Sequence, residues 1–372
     1  MKTLCFDARL ILSAGVGRYI QNLAFRMGKA PFRVILIATA EGVKEFPWLE
    51  RHEIIFNHAA MNSIEEQIQI PRLVPKCDLF WSPNFNMPHL PMRAAQQIVT
   101  IQDASYFSPH TQLKWHQRLL SHAILKRVTR KADHIFTISQ FSKDELIKYT
   151  DVAPEKISPI YLGIDHQQFS NITETPPNET TPFFFYVGNT KPHKNLKRLV
   201  QAFELLLKEG YKYRLLFAGK KEGFRVNSDV EAYVAQTPLL RNHVSFLGAI
   251  DDATLLGLYT HAQALVYPSL YEGFGFPPVE AMRFGCPAIV ARAGSIPEVC
   301  GEAAYYVDPL NIEDIAAGLK KVATDQALRQ KLKSAGQTHA KRFTWDKCAE
   351  EHFEVINRPE LNVNAKSCKW IL

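Results

Sequence analysis

Residues 271–282 read YEGFGFPPVEAM, a stretch in which two glutamates stand eight positions apart. Glu272 lies in the glycine-rich, aromatic part, which predicts a loop, and Glu280 follows two prolines that suit a helix start. The run GCPAIVA at 285–291 predicts a turn and then a short buried strand. A loop before a helix start directs backbone N–H groups at an anionic or hydroxyl-rich ligand. The two carboxylates can accept hydrogen bonds from two sets of hydroxyls, such as those of a sugar and a ribose.

This stretch resembles the paired-glutamate motif of the retaining glycosyltransferases of family four, which have the GT-B architecture of two Rossmann-like domains. A Glu-x7-Glu pair alone is weak, because an acidic helix start that complements the helix dipole can produce it. The Gly-Phe-Gly-Phe-Pro-Pro context favours the functional interpretation. The resemblance implies a catalytic role for Glu272 and binding of a sugar nucleotide by Gly273, Phe274, Gly275, Phe276 and Glu280.

Composition is typical of a large soluble enzyme with two domains. The chain has 372 residues, 46% of them apolar, and lacks an apolar run of the ~20 residues that span a bilayer. Its N-terminus, MKTLCFDAR, is charged too early for a secretory signal. Six scattered cysteines without CxxC spacing indicate reduced thiols, so we expect a cytoplasmic protein.

Short apolar runs alternate with helical periodicity, which predicts an α/β fold with parallel sheets. We expect helices that include 195–207 and 312–328, and strands at 3–6, 33–38, 53–56, 79–82, 97–101, 134–138, 157–161, 183–187, 213–218, 244–247, 264–267, 287–290 and 304–307.

A segment rich in proline and polar residues interrupts this alternation and predicts an interdomain linker. We therefore expect GT-B architecture, with two Rossmann-like, doubly wound parallel-sheet domains that face a cleft. The predicted divisions are an acceptor-binding domain at 1–170, the linker at 171–182, a nucleotide-sugar domain at 183–343, and at 344–372 a helix that crosses back to the first domain plus a tail.

The strand that ends at Gly188 and Asn189 is followed by TKPHKN at 190–195, which leads into a helix. In the resembled family the basic residue before that helix contacts the diphosphate, which implies a catalytic role for Lys194. The alternative is a lysine solvated at a helix start. Many relatives carry arginine at the position of Asn189, soon after the strand glycine, and often at the position of His193, so the second cation stays open among Lys191, His193 and Arg18.

Two further turns in the second half resemble parts of the donor site. Gly219 and Lys220 end a strand like the family's glycine turn beside the donor. In relatives the backbone at positions like Ala249 and Ile250 holds the base. Asp251 is predicted to cap the helix that follows.

In the first half, SAGVGRY at 13–19 resembles the glycine loop with which the family approaches diphosphate and acceptor, which implies binding by Gly15, Gly17 and Arg18. The third glycine of the dinucleotide fingerprint is missing, and a tight βα turn is the alternative.

Gln102 and Asp103 end a strand where most relatives read His-Asp. Glutamine can hydrogen-bond a sugar hydroxyl but cannot carry a proton, so we interpret it as tuning of substrate fit. Asp103 is the predicted catalytic-site residue nearest the acceptor hydroxyl, with a helix cap as its alternative.

The resemblance implies an oxocarbenium-like transition state with front-face attack, in which the leaving phosphate accepts the acceptor's proton. The sequence has no Asp-x-Asp in a plausible loop and no His/Cys cluster, so we expect no metal and no cofactor besides the sugar nucleotide. The sequence from Gly188 to Asn195 resembles that of the mannosyltransferase branch. GDP-mannose is therefore the predicted donor, with a surface-polysaccharide or lipid-linked acceptor.

The formal charge of +7 is unevenly spread, since residues 114–131 contain no acidic residue. Leu119, Leu120, Ala123, Ile124 and Val128 follow helical spacing there, which suits either peripheral contact of Lys114 to Lys131 with an anionic membrane or a core-packed helix with a solvated basic face. No recognition module accompanies this charge, so we expect no nucleic-acid partner.

Two other function classes stay open. One is a catalytically silent GT-B module that binds a sugar nucleotide or scaffolds a partner enzyme, which Gln102 favours and the intact glutamates oppose. The other is a nicotinamide oxidoreductase, for which we expect no NADH binding.

Overall fold

The computed structural model describes residues 1–61, 63–109, 114–164, 173–219, 228–358 and 361. By internal packing the chain divides into two compact units. Unit 1 comprises Met1–Phe107, Leu113–Gly163 and Trp345–Leu372, and unit 2 comprises Ser108–Gln112 and Ile164–Thr344. The domain boundaries drawn from the sequence stay predictions.

Unit 1 contains a seven-stranded sheet in which all neighbouring strands pair in parallel. Its strands are β1 (Thr3–Asp7), β2 (Arg33–Ala38), β3 (Glu53–Phe56), β4 (Cys77–Ser82), β5 (Ala94–Thr100), β6 (His134–Thr137) and β7 (Ile157–Pro159). The order is β3-β2-β1-β4-β5-β6-β7, so the winding direction reverses between β1 and β4. The carboxyl ends of those two strands are where such a sheet forms a crevice.

The described helices that connect these strands are α1 (Gly15–Met27), α2 (Ala40–Glu45), α3 (Ile64–Leu73), α4 (Trp115–Lys131) and α5 (Gln140–Thr150), with short 3-10 turns at Pro47–Arg51, Ser105–Phe107 and Pro154–Lys156. Side chains of Thr39, Ser63 and Ser139 cap three of the helices by accepting a backbone N–H.

The loop predicted at 13–19 is shorter than expected, because Gly15, Gly17 and Arg18 already lie in the first turns of α1, and substrate binding by these residues stays a prediction. A Cβ on Gly17 would stand 2.6 Å from the Ile11 carbonyl oxygen. Glycine at this position therefore lets α1 pack directly on the chain that follows β1.

Unit 2 contains a six-stranded sheet, again with parallel pairing throughout. Its strands are β8 (Phe183–Val187), β9 (Arg214–Ala218), β10 (Val244–Gly248), β11 (Ala264–Tyr267), β12 (Ala288–Ala291) and β13 (Tyr305–Val307). The order β10-β9-β8-β11-β12-β13 places the reversal between β8 and β11. Each strand predicted from the sequence is present in the described residues, with ends that shift by at most three positions.

The described helices of unit 2 are α6 (Leu196–Lys208), α7 (Ser228–Gln236), α8 (Pro238–Arg241), α9 (Asp252–His261), α10 (Phe276–Arg283), α11 (Ile296–Cys300), α12 (Ile312–Thr324) and α13 (Gln326–Ala340), with a 3-10 turn at Pro192–Lys194. The single helix predicted at 312–328 is wrong. Asp325 leaves helical geometry and its carboxylate accepts the Leu328 N–H, so it ends α12 and caps α13.

The described part of the predicted linker packs on α9 of unit 2. The Thr175 N–H donates to the Ala253 carbonyl at 3.1 Å, and the Thr260 hydroxyl donates to Glu174 at 2.6 Å. A Cβ on Gly257 would lie 1.9 Å from the Thr175 carbonyl oxygen, so this contact requires glycine.

The last described helix, α14 (Trp345–Ile356), belongs to unit 1 and packs on α1. Its inner face inserts Trp345 and His352 into the fully buried cluster around Tyr19 and Trp81. The five cysteines in the described chain are free and buried, and burial raises the thiol pKa of both Cys286 and Cys300 to about 12. No described helix is both long enough and apolar enough to cross a bilayer.

Candidate functional site

The site of unit 2 lies where β8 and β11 end, at the reversal of strand order. After β8 the chain passes through Gly188, at φ 149°, and the 3-10 turn Pro192–Lys194 into Asn195, which adopts φ 62° before α6. The Asn195 amide donates to the carbonyls of Pro268 at 3.1 Å and Pro309 at 2.6 Å. This side chain therefore ties the turn that carries Lys194 to the segment after β11.

Lys194 and Glu272 form a buried ion pair. The Lys194 Nζ lies 2.5 Å from Glu272 Oε1 and 2.8 Å from the Tyr267 hydroxyl, and their side chains are only 8% and 12% exposed. The ammonium also lies 5.1 Å from the Tyr267 ring centroid. The alternative of a solvated lysine at a helix start is therefore wrong.

The charge of Glu272 is maintained by its surroundings. Burial opposes ionisation, but the Lys194 ammonium, its hydrogen bond and the Ser269 hydroxyl outweigh it and lower the pKa of the Glu272 carboxyl. Burial and the nearby Glu272 charge raise the pKa of the Tyr267 phenol well above its ordinary value. The cluster thus holds a carboxylate beside a neutral phenol.

The loop that carries Glu272 is clamped from two sides by residues that the sequence analysis missed. The Leu270 N–H donates to the His193 carbonyl at 2.7 Å, and the Ser269 hydroxyl oxygen lies 3.2 Å from the same carbonyl. The fully buried Ser295 hydroxyl lies 3.0 Å from the carbonyl oxygens of both Glu272 and Phe274, so its single O–H is shared between them.

Gly294 permits this clamp to close. It adopts φ 60°, and a Cβ there would stand 2.9 Å from the Glu272 amide nitrogen. The Gly-Ser-Ile-Pro sequence at 294–297 is a turn followed by a helix start, and this signal could have drawn attention to both residues.

Helix α10 begins as the two prolines predicted. Gly275 is its N-cap at φ 96°, and a Cβ there would lie 2.4 Å from the Ile296 side chain. Glu280 lies beyond the first turn, is 6% exposed and accepts a hydrogen bond from the Tyr259 hydroxyl at 3.3 Å. The alternative in which Glu280 complements the helix dipole is therefore wrong.

Other residues of unit 2 that were predicted to bind the substrate lie in turns after the strands. The Asn189 carbonyl accepts the Tyr186 hydroxyl at 2.7 Å, and its side chain accepts the Lys191 N–H at 3.2 Å. The Gly219 N–H donates to the Gly248 carbonyl at 2.9 Å. Lys220 lies outside the described residues.

The chain after β10 exposes Ala249 and leaves Ile250 half-buried. Asp251 caps α9 by accepting the Thr254 N–H at 2.8 Å, which confirms the predicted cap. Base recognition by this backbone stays a prediction.

In unit 1, Gln102 and Asp103 follow β5. The Gln102 Nε2 is buried and has no hydrogen-bond partner among the described residues. A buried amide of this kind is a candidate for a ligand contact. The Asp103 carboxylate accepts the Ser105 N–H at 3.0 Å and so caps the turn Ser105–Phe107, while its role toward an acceptor stays a prediction.

A buried ionic network at the carboxyl end of β1 was also missed. Arg9 donates to both carboxylate oxygens of Asp7, at 2.9 and 2.7 Å, and to Glu66 at 2.5 Å. The Asn86 amide donates to the same Glu66 oxygen. Buried charges must be paired, so this network fixes the chain between β1 and α1.

Helix α4 differs from a fully core-packed helix. Leu125 and Val128 are buried, whereas Trp115, Leu119 and Leu120 are 74%, 60% and 63% exposed. In the described chain, no group of three or more His, Cys, Asp or Glu side chains is arranged to hold a metal ion, and independence from metal stays a prediction.

Comparisons with known proteins show which family the chain is similar to. Residues 167–339 match the family described as Glycosyl transferases group 1, and residues 13–168 match Glycosyltransferase Family 4. The chain is 28% identical over 290 residues to the O-antigen chain mannosyltransferase B of Escherichia coli, covering 73% of this chain and 72% of that one. It is 31% identical over 243 residues, 61% of its length, to the serotype-specific mannosyltransferase WbdA of Escherichia coli.

The match spans only 29% of WbdA's own length. Among solved structures, the Anabaena protein Alr3699/HepE in complex with UDP and glucose superimposes with a TM-score of 0.75 at 17% identity, over 96% of this chain and 99% of that one.

The chain has two α/β units, each with a parallel sheet, and it matches solved glycosyltransferase structures. Its fold is therefore of the GT-B class. With family matches that together extend from residue 13 to residue 339, the chain belongs to the glycosyltransferases of family four.

Proposed function

We propose that the protein is a retaining, metal-independent hexosyltransferase that moves mannose from GDP-mannose to a saccharide or lipid-linked acceptor in surface-polysaccharide synthesis. The observation that carries this proposal is the buried Lys194–Glu272 pair at the carboxyl ends of β8 and β11. Burying two charges is costly, and a site that binds a charged ligand gives a reason for it.

The proposed reaction needs a cation where the leaving group departs. The bond between the sugar's anomeric carbon and the diphosphate oxygen breaks, and the diphosphate takes the electron pair. The acceptor hydroxyl attacks from the same face, and its proton passes to the departing phosphate oxygen. Lys194 stabilises the negative charge that grows on that oxygen.

The two glutamates are assigned to different parts of the donor. Glu272, held by Lys194, Ser269 and Ser295, orients the hydroxyls of the sugar. Glu280, one turn inside α10, accepts the hydroxyls of the ribose. Gln102 in unit 1 offers its buried amide N–H to a substrate hydroxyl, which replaces the contact that histidine makes in the resembled family.

The choice of mannose rests on relatives. Two proteins similar to this chain are named as mannosyltransferases of Escherichia coli, one of them acting on the O-antigen chain. The similar HepE structure contains UDP and glucose, which supports a nucleotide sugar as the donor class and makes UDP sugars the competing choice.

A thermal-shift panel of GDP-mannose, GDP-fucose, UDP-glucose and UDP-galactose tests the donor, since a bound ligand stabilises the folded protein. Slow release of nucleoside diphosphate from the donor that binds, unchanged by EDTA, supports the enzyme. Stabilisation by UDP sugars alone would overturn the mannose assignment. Binding without release, with every acceptor tested, would instead support the catalytically silent module.

We further propose that α4 contacts an anionic membrane surface. Its outward side presents Trp115, Leu119 and Leu120, and the helix is basic and free of acidic residues. Cosedimentation with phosphatidylglycerol vesicles, but not phosphatidylcholine vesicles, is expected for the wild type. Leu119→Asp should abolish it, and Leu310→Asp, at an equally exposed leucine of unit 2, should not.

A further inference from the structure

The hydroxyl of Tyr267 is the point where Lys194 and Glu272 meet. Tyr267 is the last residue of β11 and is only 2% exposed. Its oxygen accepts a hydrogen bond from the Lys194 ammonium at 2.8 Å, and its own O–H group hydrogen-bonds Glu272. The three side chains therefore form a closed cluster in which each contacts the other two.

The cluster constrains the direction of the lysine. An ammonium group has three N–H donors, and here Tyr267 and Glu272 use two of them. The third must point along the remaining direction of the tetrahedron. Without the phenol oxygen, the ammonium could rotate about the Glu272 contact and lose that direction.

Tyr267 is anchored in the sheet, unlike the two residues it contacts. It lies in a strand that pairs with both β12 and β8, whereas Lys194 and Glu272 lie in connecting segments. Its ring stacks on the ring of Tyr186 in β8, with 5.9 Å between the ring centroids and 14° between the ring planes. Tyr186 is itself fixed by a hydrogen bond to the Asn189 carbonyl at 2.7 Å. A site built on rigid elements keeps its geometry more closely than one built on loops.

We propose that Tyr267 is a positioning residue, which aims the third N–H of Lys194 at the leaving diphosphate of the sugar nucleotide. This inference rests on the proposed function, since it assigns the ammonium to the departing phosphate. The phenol itself need not touch the substrate. Its effect passes through the lysine, so it changes turnover rather than donor affinity.

Tyr267→Phe tests this, because it removes only the oxygen and keeps the ring and its stacking. We expect kcat to fall about tenfold with less than a threefold change in donor KM, the size typical of one lost hydrogen bond to a charged group. Tyr213→Phe is the matched control. Its hydroxyl contacts the Ala323 carbonyl at 3.4 Å, away from the cluster, and we expect it to leave kcat unchanged.

A double-mutant cycle separates positioning from structure. In a Lys194→Met background, Tyr267→Phe should cause no further loss of kcat, because the group it positions is gone. Independent, multiplying losses would overturn the positioning role while leaving the proposed function intact. If Lys194→Met alone leaves turnover normal, it is instead the proposed function that fails.

A spectroscopic measurement gives a result that does not depend on activity. An ammonium held in a buried cluster should give a slowly exchanging 15Nζ signal, assigned by its loss in Lys194→Met. We expect Tyr267→Phe to remove or broaden this signal, while the backbone amide signals of unit 2 remain those of the folded protein. A signal that persists unchanged in the Tyr267→Phe protein would contradict the inference.

Discussion

Acid should destabilise unit 1 through His352, whose imidazole is enclosed as a neutral group. Its Nδ1 lies 2.6 Å from the Cys348 carbonyl, which can only accept, so Nδ1 carries the proton. Its Nε2 lies 2.7 Å from the Tyr19 hydroxyl and therefore accepts from it. The Thr100 hydroxyl donates to the Tyr19 oxygen at 3.1 Å and accepts the Trp81 N–H at 2.9 Å. Each donor in this series of hydrogen bonds has an acceptor only while His352 is neutral.

The magnitude follows from the pKa. Burial lowers the pKa of His352 from 6.5 to about 3. Between these values the unfolded chain binds a proton that the folded protein rejects, so the free energy of unfolding falls as pH falls below 6.5. Each pH unit in this window costs about 1.4 kcal/mol. At pH 4.5, two units below, the loss from His352 alone is therefore about 3 kcal/mol.

Urea unfolding followed by tryptophan emission measures this loss at pH 7.5, 6.5, 5.5 and 4.5. Residues 164–344 contain no tryptophan, whereas Trp81 and Trp345 are buried in unit 1, so the signal reports that unit. The wild type is compared with His352→Asn, because other titrating groups are common to both proteins. His116→Asn, at an exposed position on α4, is the control.

We expect His352→Asn to be less stable at pH 7.5, with a gap to the wild type that shrinks by about 3 kcal/mol on going to pH 4.5. The His116→Asn protein should follow the wild type at every pH. A gap that stays constant within about 0.5 kcal/mol would refute the assignment of a neutral, enclosed imidazole, since that gap is set by the proton uptake of His352 alone.

Three further substitutions test the site of unit 2. Lys194→Met should lower kcat about 100-fold with a much smaller change in donor affinity, whereas Lys208→Met, which removes an exposed lysine of α6 that pairs with Glu204, should not; a loss confined to affinity by calorimetry would contradict the leaving-group role. Glu280→Gln should weaken binding of the nucleoside diphosphate by ~1–3 kcal/mol in calorimetry, and unchanged binding would mean that this carboxylate is misassigned. Gly294→Ala adds ~1–3 kcal/mol of backbone strain and displaces the Glu272 loop, so both melting temperature and turnover should fall. Gly210 also has a positive φ but has open space around it, so Gly210→Ala should lower only the melting temperature. Equal activity of the two variants would argue against the clamp.

Much of the fold was predictable because its signals are local. Apolar runs such as 183–187 and 264–267 identify strands buried on both faces, and the prolines before Glu280 identify the start of α10. The break at Asp325 was missed because periodicity continues across it, and only the cap geometry ends one helix and starts the next. The start of α1 was missed because glycines at 15 and 17 resemble a loop, although Gly17 serves close packing.

The sequence by itself determined the family, the positions of the strands along the chain and the charged residues of the site, because motif spacing and periodicity are properties of neighbouring positions. Only the tertiary structure decided which of these side chains touch. Lys194 and Glu272 are far apart in the chain, and the phenol of Tyr267 joins them because β8 and β11 lie side by side in the sheet. Pairing of distant strands depends on packing of the whole unit, so contacts of this kind leave no pattern in the local sequence.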